Sequence, residues 1–306
     1  MKKIPLIIDC DPGVDDAIAI IVANAKEIFD LKAITSVAGN VELEYTTHNL
    51  QLLANLLDLK CPIAKGADRP LVKEQVIAGK THGSDGFGGH AHLLKDIGVR
   101  ELDQLSAVKL MAKVLAESEE QVVIAAVGPL TNIAILIKAY PELLDKIEKF
   151  SIMGGGLAYG NRTATAEFNF YVDPEAAHIV FNSGVPIVLA ALDATLQADI
   201  LPEDIKNFEE VDNPVASIGT KILASYAAKD TALHDPVSIL VLSNPEIFET
   251  KDMYIQIETN EGSTRAMSFA DNRNRNTKPN NTTFITKVNR EAFIAEIKAA
   301  FEFYNR

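Results

Sequence analysis

Short, uninterrupted apolar runs alternate with longer amphipathic segments along most of this 306-residue chain. Uninterrupted runs are typical of strands that are buried on both faces, whereas a strand with one solvent-exposed face alternates apolar and polar residues. The alternation of such strands with helices predicts an α/β protein with a mostly parallel central sheet and helices on both faces. Since no linker or composition shift divides the chain, we predict a single domain over 1–306.

The predicted strands are Ile4–Ile8, Leu31–Val37, Val122–Val127, Phe150–Met153 and Ile187–Leu192. The predicted helices are Asp15–Asn24, Leu43–Leu57, Ser106–Ala116, Asn132–Ile137, Pro174–Asn182, Val215–Ala228 and Arg290–Phe301. Two further β-like segments, Met253–Glu258 and Ser263–Ser268, precede the last helix. Two stretches rich in glycine and polar residues, 65–92 and 154–171, are too long for simple connections and are predicted to be active-site loops.

Charge and composition limit the partners and the compartment. The 42 acidic and 29 basic residues give a net charge of −13, which argues against a nucleic-acid polymer or an anionic membrane as partner. The apolar run after Lys3 meets Asp9 too soon for a signal peptide, and no run is long enough to span a membrane. With only Cys10 and Cys61, the chain is predicted to be cytoplasmic.

Four carboxylates follow the first predicted strand within eight residues: Asp9, Asp11, Asp15 and Asp16. A helix N-terminus favours each by only ~0.3–1 kcal/mol. Two such charges about 4 Å apart repel by ~4 kcal/mol at an effective dielectric constant near 20. A bound cation can hold them together, and an all-oxygen ligand set selects Ca²⁺ or Mg²⁺ over zinc.

Polar residues that suit proton transfer or sugar binding occur at two other places. His234 stands beside Asp235 ahead of an apolar run, and histidine transfers protons near neutral pH. If Asp235 completes the metal site, His234 lies over the same pocket. Glu167 and Asn169 offer acceptors and donors for a polyhydroxylated ligand, and the neighbouring Phe168 and Phe170 would shield them from water. Asn40 and Asn161 are similar polar candidates, and the glycine-rich 81–89 stretch is a candidate lid.

Two glycine-containing segments resemble nucleotide-binding motifs but lack a glycine that each motif requires. The Gly79-Lys80-Thr81 sequence ends like a phosphate-binding loop, but Glu74 stands where that loop needs a glycine. Tyr159 likewise stands where the dinucleotide pattern that begins at Gly154 needs its last glycine. We therefore predict no nucleotide cofactor.

The segment Asp9-Cys10-Asp11-Pro12-Gly13-Val14-Asp15-Asp16-Ala17 closely resembles the amino-terminal signature of the inosine–uridine-preferring nucleoside N-ribohydrolases. Further blocks in the family's order are 127–132, 153–155, 167–169 with 173–176, and 234–236. The resemblance therefore runs from about residue 4 to the last helix.

This resemblance implies a Rossmann-like domain, a homo-oligomer (tetramer or dimer), nucleoside salvage and one Ca²⁺ per subunit. The matched metal ligands are Asp11, Asp16, Asp235 and the backbone carbonyl of Val127, with a water and two ribose hydroxyls completing the shell. The matched or neighbouring substrate-binding positions are Asp15, Asn40, Met153, Asn161, Glu167, Phe168 and Asn169. His82 and Tyr226 are candidate base contacts from mobile loops.

The implied reaction is hydrolysis of the N-glycosidic bond of ribonucleosides of the inosine, uridine or cytidine type, through an oxocarbenium-like transition state. Asp11 is the matched base for a Ca²⁺-bound water, and His234 is the matched acid for the departing base. Since uracil leaves more readily as an anion than a purine does, His234 should matter most for purine nucleosides.

Two alternative functions share part of this pattern. The Asp9-Cys10-Asp11 run imitates the nucleophile motif of haloacid-dehalogenase-type phosphatases, although Pro12 and Gly13 fit that pattern poorly. The other alternative is a non-catalytic nucleoside-binding protein of the same fold, for which the loss of Asp11 or Asp235 would have been evidence.

Overall fold

A central sheet organises the fold in the computed structural model, which describes residues 2–271, 273 and 278–305. Its strands are β1 (Ile4–Cys10), β2 (Phe29–Ser36), β3 (Ile63–Lys65), β4 (Val122–Ala126), β5 (Ile147–Met153), β6 (Ile187–Ala190), β7 (Phe248–Met253) and β10 (Thr282–Val288). Their spatial order is β3-β2-β1-β4-β5-β6-β10-β7, and only β10 and β7 pair antiparallel. The predicted α/β class with a mostly parallel sheet is confirmed. A separate antiparallel pair joins β8 (Ile255–Ile257) to β9 (Ser268–Ala270).

Helices connect most of these strands. The α-helices are α1 (Val14–Ala25), α2 (Leu43–Leu56), α3 (Gly79–His82), α4 (Ala107–Glu117), α5 (Thr131–Ala139), α6 (Phe168–Val172), α7 (Pro174–Phe181), α8 (Leu192–Thr195), α9 (Pro202–Glu209), α10 (Pro214–Ala227), α11 (Asp235–Ser243) and α12 (Arg290–Glu302). Short 3₁₀ turns cover Ala91–Leu94, Pro141–Lys146, Pro245–Ile247 and Phe303–Asn305. Throughout the described ranges, every helix is too short or too polar to cross a membrane.

Both faces of the sheet are buried, as the uninterrupted apolar runs predict. Leu6 and Ile8 of β1 pack into a core with α1, α10 and α12, whereas Ile7 points to the opposite core with α4, α5 and α7. Each of these three β1 side chains is fully buried. Because successive side chains of a strand alternate in direction, one continuous apolar run supplies both cores.

The carboxyl ends of the parallel strands meet at one edge of the sheet, where α/β proteins bind their ligands. Asp11 follows β1, Asn40 follows β2, Val127 follows β4 and Met153 ends β5. The topology therefore gathers residues from distant parts of the sequence at one place, and all four of these are buried.

Three strands of the sheet, β3, β7 and β10, are missing from the sequence prediction. The β3 strand has only three residues, and β7 is an edge strand with four exposed residues in its interior, so neither carries an apolar run. The predicted β-like segment 263–268 is wrong in extent, because β9 begins only at Ser268 after a turn in which Ala266 has a positive φ of 68°. The division into one domain stays a prediction.

Candidate active site

The two strand-end aspartates have different surroundings. Asp9 Oδ1 accepts hydrogen bonds from Thr35 Oγ1 at 2.5 Å and Asn132 Nδ2 at 2.8 Å, which ties β1 to β2 and α5. Asp11 Oδ2 instead accepts from the backbone N–H of Asn40 at 2.7 Å. Asp9 is thus engaged in the scaffold, whereas the Asp11 carboxylate joins the acidic cluster at the start of α1.

Asp16 fixes the turn between β1 and α1. Its Oδ1 accepts from the backbone N–H of Asp11 at 3.0 Å, and its Oδ2 accepts from the N–H of Gly13 at 2.9 Å. The side-chain amide of Asn40 donates to the same Oδ2 at 3.0 Å. The Asp-Pro-Gly turn therefore folds back on a helix-start carboxylate, and Asn40 bridges it to the loop after β2.

Four buried carboxylates converge at this point. Oxygens of Asp15, Asp16 and Asp235 lie within 4.8 Å of one another, and Asp11 contacts Asp16. Burial and mutual repulsion raise the pKa of Asp11 and of Asp235 well above the usual range, and the same causes raise the pKa of Asp15 to about 7. Burial also raises the pKa of Asp16. These four carboxylates, the acidic cluster, need a positive charge to stay ionised together.

A hard cation fits the donors of the acidic cluster. Asp15 Oδ1 is buried and lacks a hydrogen-bond partner among the described residues, which is costly unless a ligand occupies it. The Val127 carbonyl, which lines the adjoining cavity, adds a neutral oxygen and accepts a hydrogen bond from Asn169 Nδ2 at 2.8 Å. Carboxylate and carbonyl oxygens are the ligands that Ca²⁺ takes.

Two glycines leave room for the Asp11 carboxylate. A Cβ atom on Gly39 would lie 2.0 Å from Asp11 Oδ2, and one on Gly128 would lie 2.5 Å from Oδ1. Both distances are far below van der Waals contact. The carboxylate is therefore held between the loops that follow β2 and β4.

We expect Gly39→Ala to lower kcat/KM for the reaction that the sequence resemblance implies by about 100-fold, because the new methyl group displaces the Asp11 carboxylate and misplacement of about 1 Å costs that much. Steady-state kinetics, with Ca²⁺ binding measured by calorimetry, would check this. Activity within threefold of the wild type would contradict the tight packing around Asp11.

A cavity of about 690 Å³ opens above the acidic cluster. All nine sequence-predicted substrate-binding residues line it: Asp15, Asn40, His82, Met153, Asn161, Glu167, Phe168, Asn169 and Tyr226. His234, Asp235 and Val127 also line it, and Asp11 and Asp16 connect to it through Asn40. The size suits a small polar molecule.

Glu167 organises the loop at the carboxyl end of β5. Its carboxylate caps α6 by accepting from the N–H groups of Asn169 at 2.8 Å and Phe170 at 3.1 Å, and it also accepts from Gly155 N–H at 2.8 Å. These bonds lower the pKa of Glu167, but burial outweighs them and raises it. Asn161 Oδ1 accepts from the N–H of Phe168 at 2.9 Å.

The two phenylalanines of this segment have separate roles. Phe168 is half-buried and lines the cavity, as predicted. Phe170 packs in the core instead, edge-on against Phe181 with ring centroids 5.6 Å apart. The prediction that Phe170 shields the ligand is wrong, because the helical turn of α6 directs it inward.

Two buried histidines face the cavity in different electrostatic settings. Burial lowers the pKa of His82 to about 3, so this ring is neutral; its centroid lies 5.4 Å from that of Tyr226. Burial alone would lower the pKa of His234 as well, but Asp230, Asp15 and Glu167 raise it. His234 is therefore the better placed of the two to donate a proton or a hydrogen bond.

Several residues in or next to the cavity were not predicted from the sequence. Asp230 and Arg162 line the wall, and Thr195 contacts His234 from behind with its hydroxyl. A carboxylate four residues before His234 could have been noticed as an i, i+4 pair, but the intervening segment is not helical. Thr195 could be found only from the topology, since it comes after β6.

Comparisons with known proteins agree with this fold. A sequence model of the family described as inosine-uridine preferring nucleoside hydrolase matches residues 6–295. The pyrimidine-specific ribonucleoside hydrolase RihA of Klebsiella pneumoniae is 41% identical over 98% of this chain and 99% of its own length. A purine-preferring ribonucleoside hydrolase from Gardnerella vaginalis has a TM-score of 0.88 at 28% identity, covering 97% of this chain and 98% of that one. An inosine-guanosine nucleoside hydrolase has a TM-score of 0.89 at 29% identity, with the same coverage.

The fold, the acidic cluster and these likenesses together define a glycosidase that acts on nucleosides. The chain belongs to the inosine-uridine preferring nucleoside hydrolase family. The phosphatase alternative is not favoured by any of these findings. The oligomeric state and the cytoplasmic location stay predictions.

Proposed function

We propose that this enzyme hydrolyses the N-glycosidic bond of ribonucleosides, with pyrimidine ribonucleosides as better substrates than inosine. The observation that carries the proposal is one cavity that opens above the acidic cluster and is lined by all nine predicted substrate-binding residues and by His234. The pyrimidine preference rests on the 41%-identical RihA relative, which is named as pyrimidine-specific, whereas the solved hydrolases named for purine nucleosides are 28–29% identical. Values of kcat/KM for uridine, cytidine, inosine, guanosine and adenosine test it.

The acidic cluster and the Val127 carbonyl fit one Ca²⁺ per subunit. Asp11, Asp16, Asp235 and that carbonyl would hold it, a set taken from the family resemblance, and oxygens of Asp16 and Asp235 lie within 4.8 Å of each other. When bound, the ion supplies a Lewis acid that makes a water more acidic and neutralises the cluster. Asp15, Asn40, Glu167 and Asn169 are the groups proposed to hold the ribose hydroxyls.

In the proposed reaction, the electron pair of the C1′–N bond passes to the base as the bond breaks. The oxygen of water bonds to C1′, Asp11 takes the proton that this water releases, and that proton finally reaches the free base. His234 donates a hydrogen bond to the departing base from the cavity wall and so stabilises its developing negative charge. Met153 and Phe168 limit the access of other water molecules.

We expect His234→Ala to lower kcat for inosine by about 100-fold, and kcat for uridine by less, because uracil leaves more readily as an anion. 4-Nitrophenyl β-D-ribofuranoside carries a leaving group that needs no such help, so its hydrolysis should change less than threefold. Steady-state rates on the three substrates provide the measurement. An equal loss on inosine and uridine would show that His234 does not serve the departing base.

A further inference from the structure

Asp230 shares the cavity wall with His234 and is held rigidly there. It follows α10, and its backbone N–H donates to the Tyr226 carbonyl at 3.0 Å. Its Oδ1 accepts from the N–H of Ala232 at 3.0 Å. The carboxylate is about one-third exposed, and its other oxygen, Oδ2, lies 3.4 Å from Nε2 of His234.

The chain between this carboxylate and His234 is hydrogen-bonded to the segment after α8. Thr231 accepts from the N–H of Ile200 at 2.7 Å, and Leu233 donates to the carbonyl of Ala198 at 3.0 Å. Because these bonds lie between Asp230 and His234, they hold the backbone of the two residues in a fixed relation. An exposed ion pair between flexible side chains would lack this preorganisation.

The two ring nitrogens of His234 have partners of different kinds. Nδ1 lies 2.7 Å from Thr195 Oγ1, a hydroxyl that can either donate or accept. Nε2 faces Asp230, and an ionised carboxylate can only accept. With Asp230 ionised and the His234 ring neutral, the pattern that satisfies both contacts has the proton on Nε2 and the Thr195 hydroxyl donating to Nδ1.

We propose that Asp230 is a positioning residue: in the neutral form of the His234 ring it favours the Nε2–H tautomer and holds that N–H in the cavity, where the departing base takes over the hydrogen bond from Asp230. Without Asp230 the ring can place its proton on Nδ1 and donate to Thr195, which leaves a lone pair facing the departing base. The second partner of an imidazole commonly sets its tautomer in this way. The inference rests on the proposed function, since it concerns the donor to the leaving group.

The test compares Asp230→Ala and Asp230→Asn with the wild type on cytidine and on 4-nitrophenyl β-D-ribofuranoside. Cytosine is a poor leaving group, whereas nitrophenolate departs unaided. We expect kcat for cytidine to fall about 10–100-fold in Asp230→Ala, the usual cost of losing such a partner, and by less in Asp230→Asn, whose amide can either accept from Nε2 or donate to it. In both variants kcat for the aryl riboside should change less than threefold. Asp230→Asn keeps the shape of the side chain. It therefore provides a folded variant for the test if Asp230→Ala does not fold.

¹⁵N NMR of protein labelled in its histidines reports the tautomer of His234. This tautomer would not change if Asp230 only stabilised the fold. The His234 signals, assigned with His234→Gln, should report a protonated Nε2 in the wild type and a shift toward protonated Nδ1 in Asp230→Ala. Asp212→Asn, which removes the same charge from an exposed position before α10, should leave both the rates and the tautomer unchanged.

Equal losses on both substrates, or an unchanged tautomer in Asp230→Ala, would overturn the role assigned to Asp230. A wild-type enzyme that cleaves neither substrate would instead contradict the proposed function. If the wild type is active and Asp230→Ala cleaves cytidine at the same rate, only the inference about Asp230 fails.

Discussion

Asp11→Asn is expected to lower kcat/KM for uridine by about 10³-fold or more. The substitution removes the proposed base, a contribution of 10²–10⁴-fold, and also weakens the proposed cation site. The amide retains the volume of the side chain and can still accept the Asn40 N–H, so the fold should survive. Steady-state kinetics and a thermal melt on the same sample separate the chemical effect from loss of structure.

Asp9→Asn is the matched control, because it makes the same change two residues earlier in the same motif. The Asp9 carboxylate bonds to Thr35 and Asn132, and an amide carbonyl can accept both of those bonds. Activity should therefore stay within about tenfold, with a stability loss of about 1 kcal/mol. If Asp9→Asn and Asp11→Asn lost activity equally, the distinct roles assigned to the two aspartates would be wrong.

Removal of the cation is the second large effect. Treatment with EGTA should lower kcat at least 100-fold, because the acidic cluster would then hold protons instead of an ion, and added Ca²⁺ should restore activity. A cation present at 100 times its Kd stabilises the fold by about 2.7 kcal/mol, so Tm should also fall. The measurement is activity and Tm before and after chelation, followed by a Ca²⁺ titration.

The control for chelation is EGTA saturated with Ca²⁺ beforehand, which should change neither activity nor Tm. Full activity after exhaustive removal of divalent ions, verified by elemental analysis, would contradict a metal-dependent reaction. If Mg²⁺ but not Ca²⁺ restored activity, the cation site would be supported, but its assignment to Ca²⁺ would be wrong.

The sequence predicts well what is local and buried. The strand β1 can be predicted because burial on both faces requires an uninterrupted apolar run. The turn that follows it leaves a local pattern too, the Asp-Pro-Gly sequence before α1. The edge strand β7 leaves no such pattern, since its exposed residues read like a loop. The strand β10, which lies between β6 and β7, is placed there by long-range pairing, about which local periodicity carries no information.

In the site, too, residues close together in the sequence could be predicted, whereas contacts between distant segments could not. Asp11, Asp15 and Asp16 are close in sequence and could be grouped at once, and the resemblance to a known family added Asp235 and the sugar-binding positions. Asp230 and Thr195 were missed, because a contact between a loop carboxylate or a hydroxyl and a histidine depends on how α8, α10 and α11 pack. The separate role of Asp9 is likewise visible only through its partners on β2 and α5.

The most direct test of the central claim is to incubate the purified protein with uridine and Ca²⁺ in phosphate-free buffer and to quantify both products. We predict free uracil and ribose in equal amounts, at a rate that does not change when phosphate is added. Release of ribose 1-phosphate only in the presence of phosphate, or no release of base from any of the five nucleosides by the folded, Ca²⁺-loaded protein, would contradict the account.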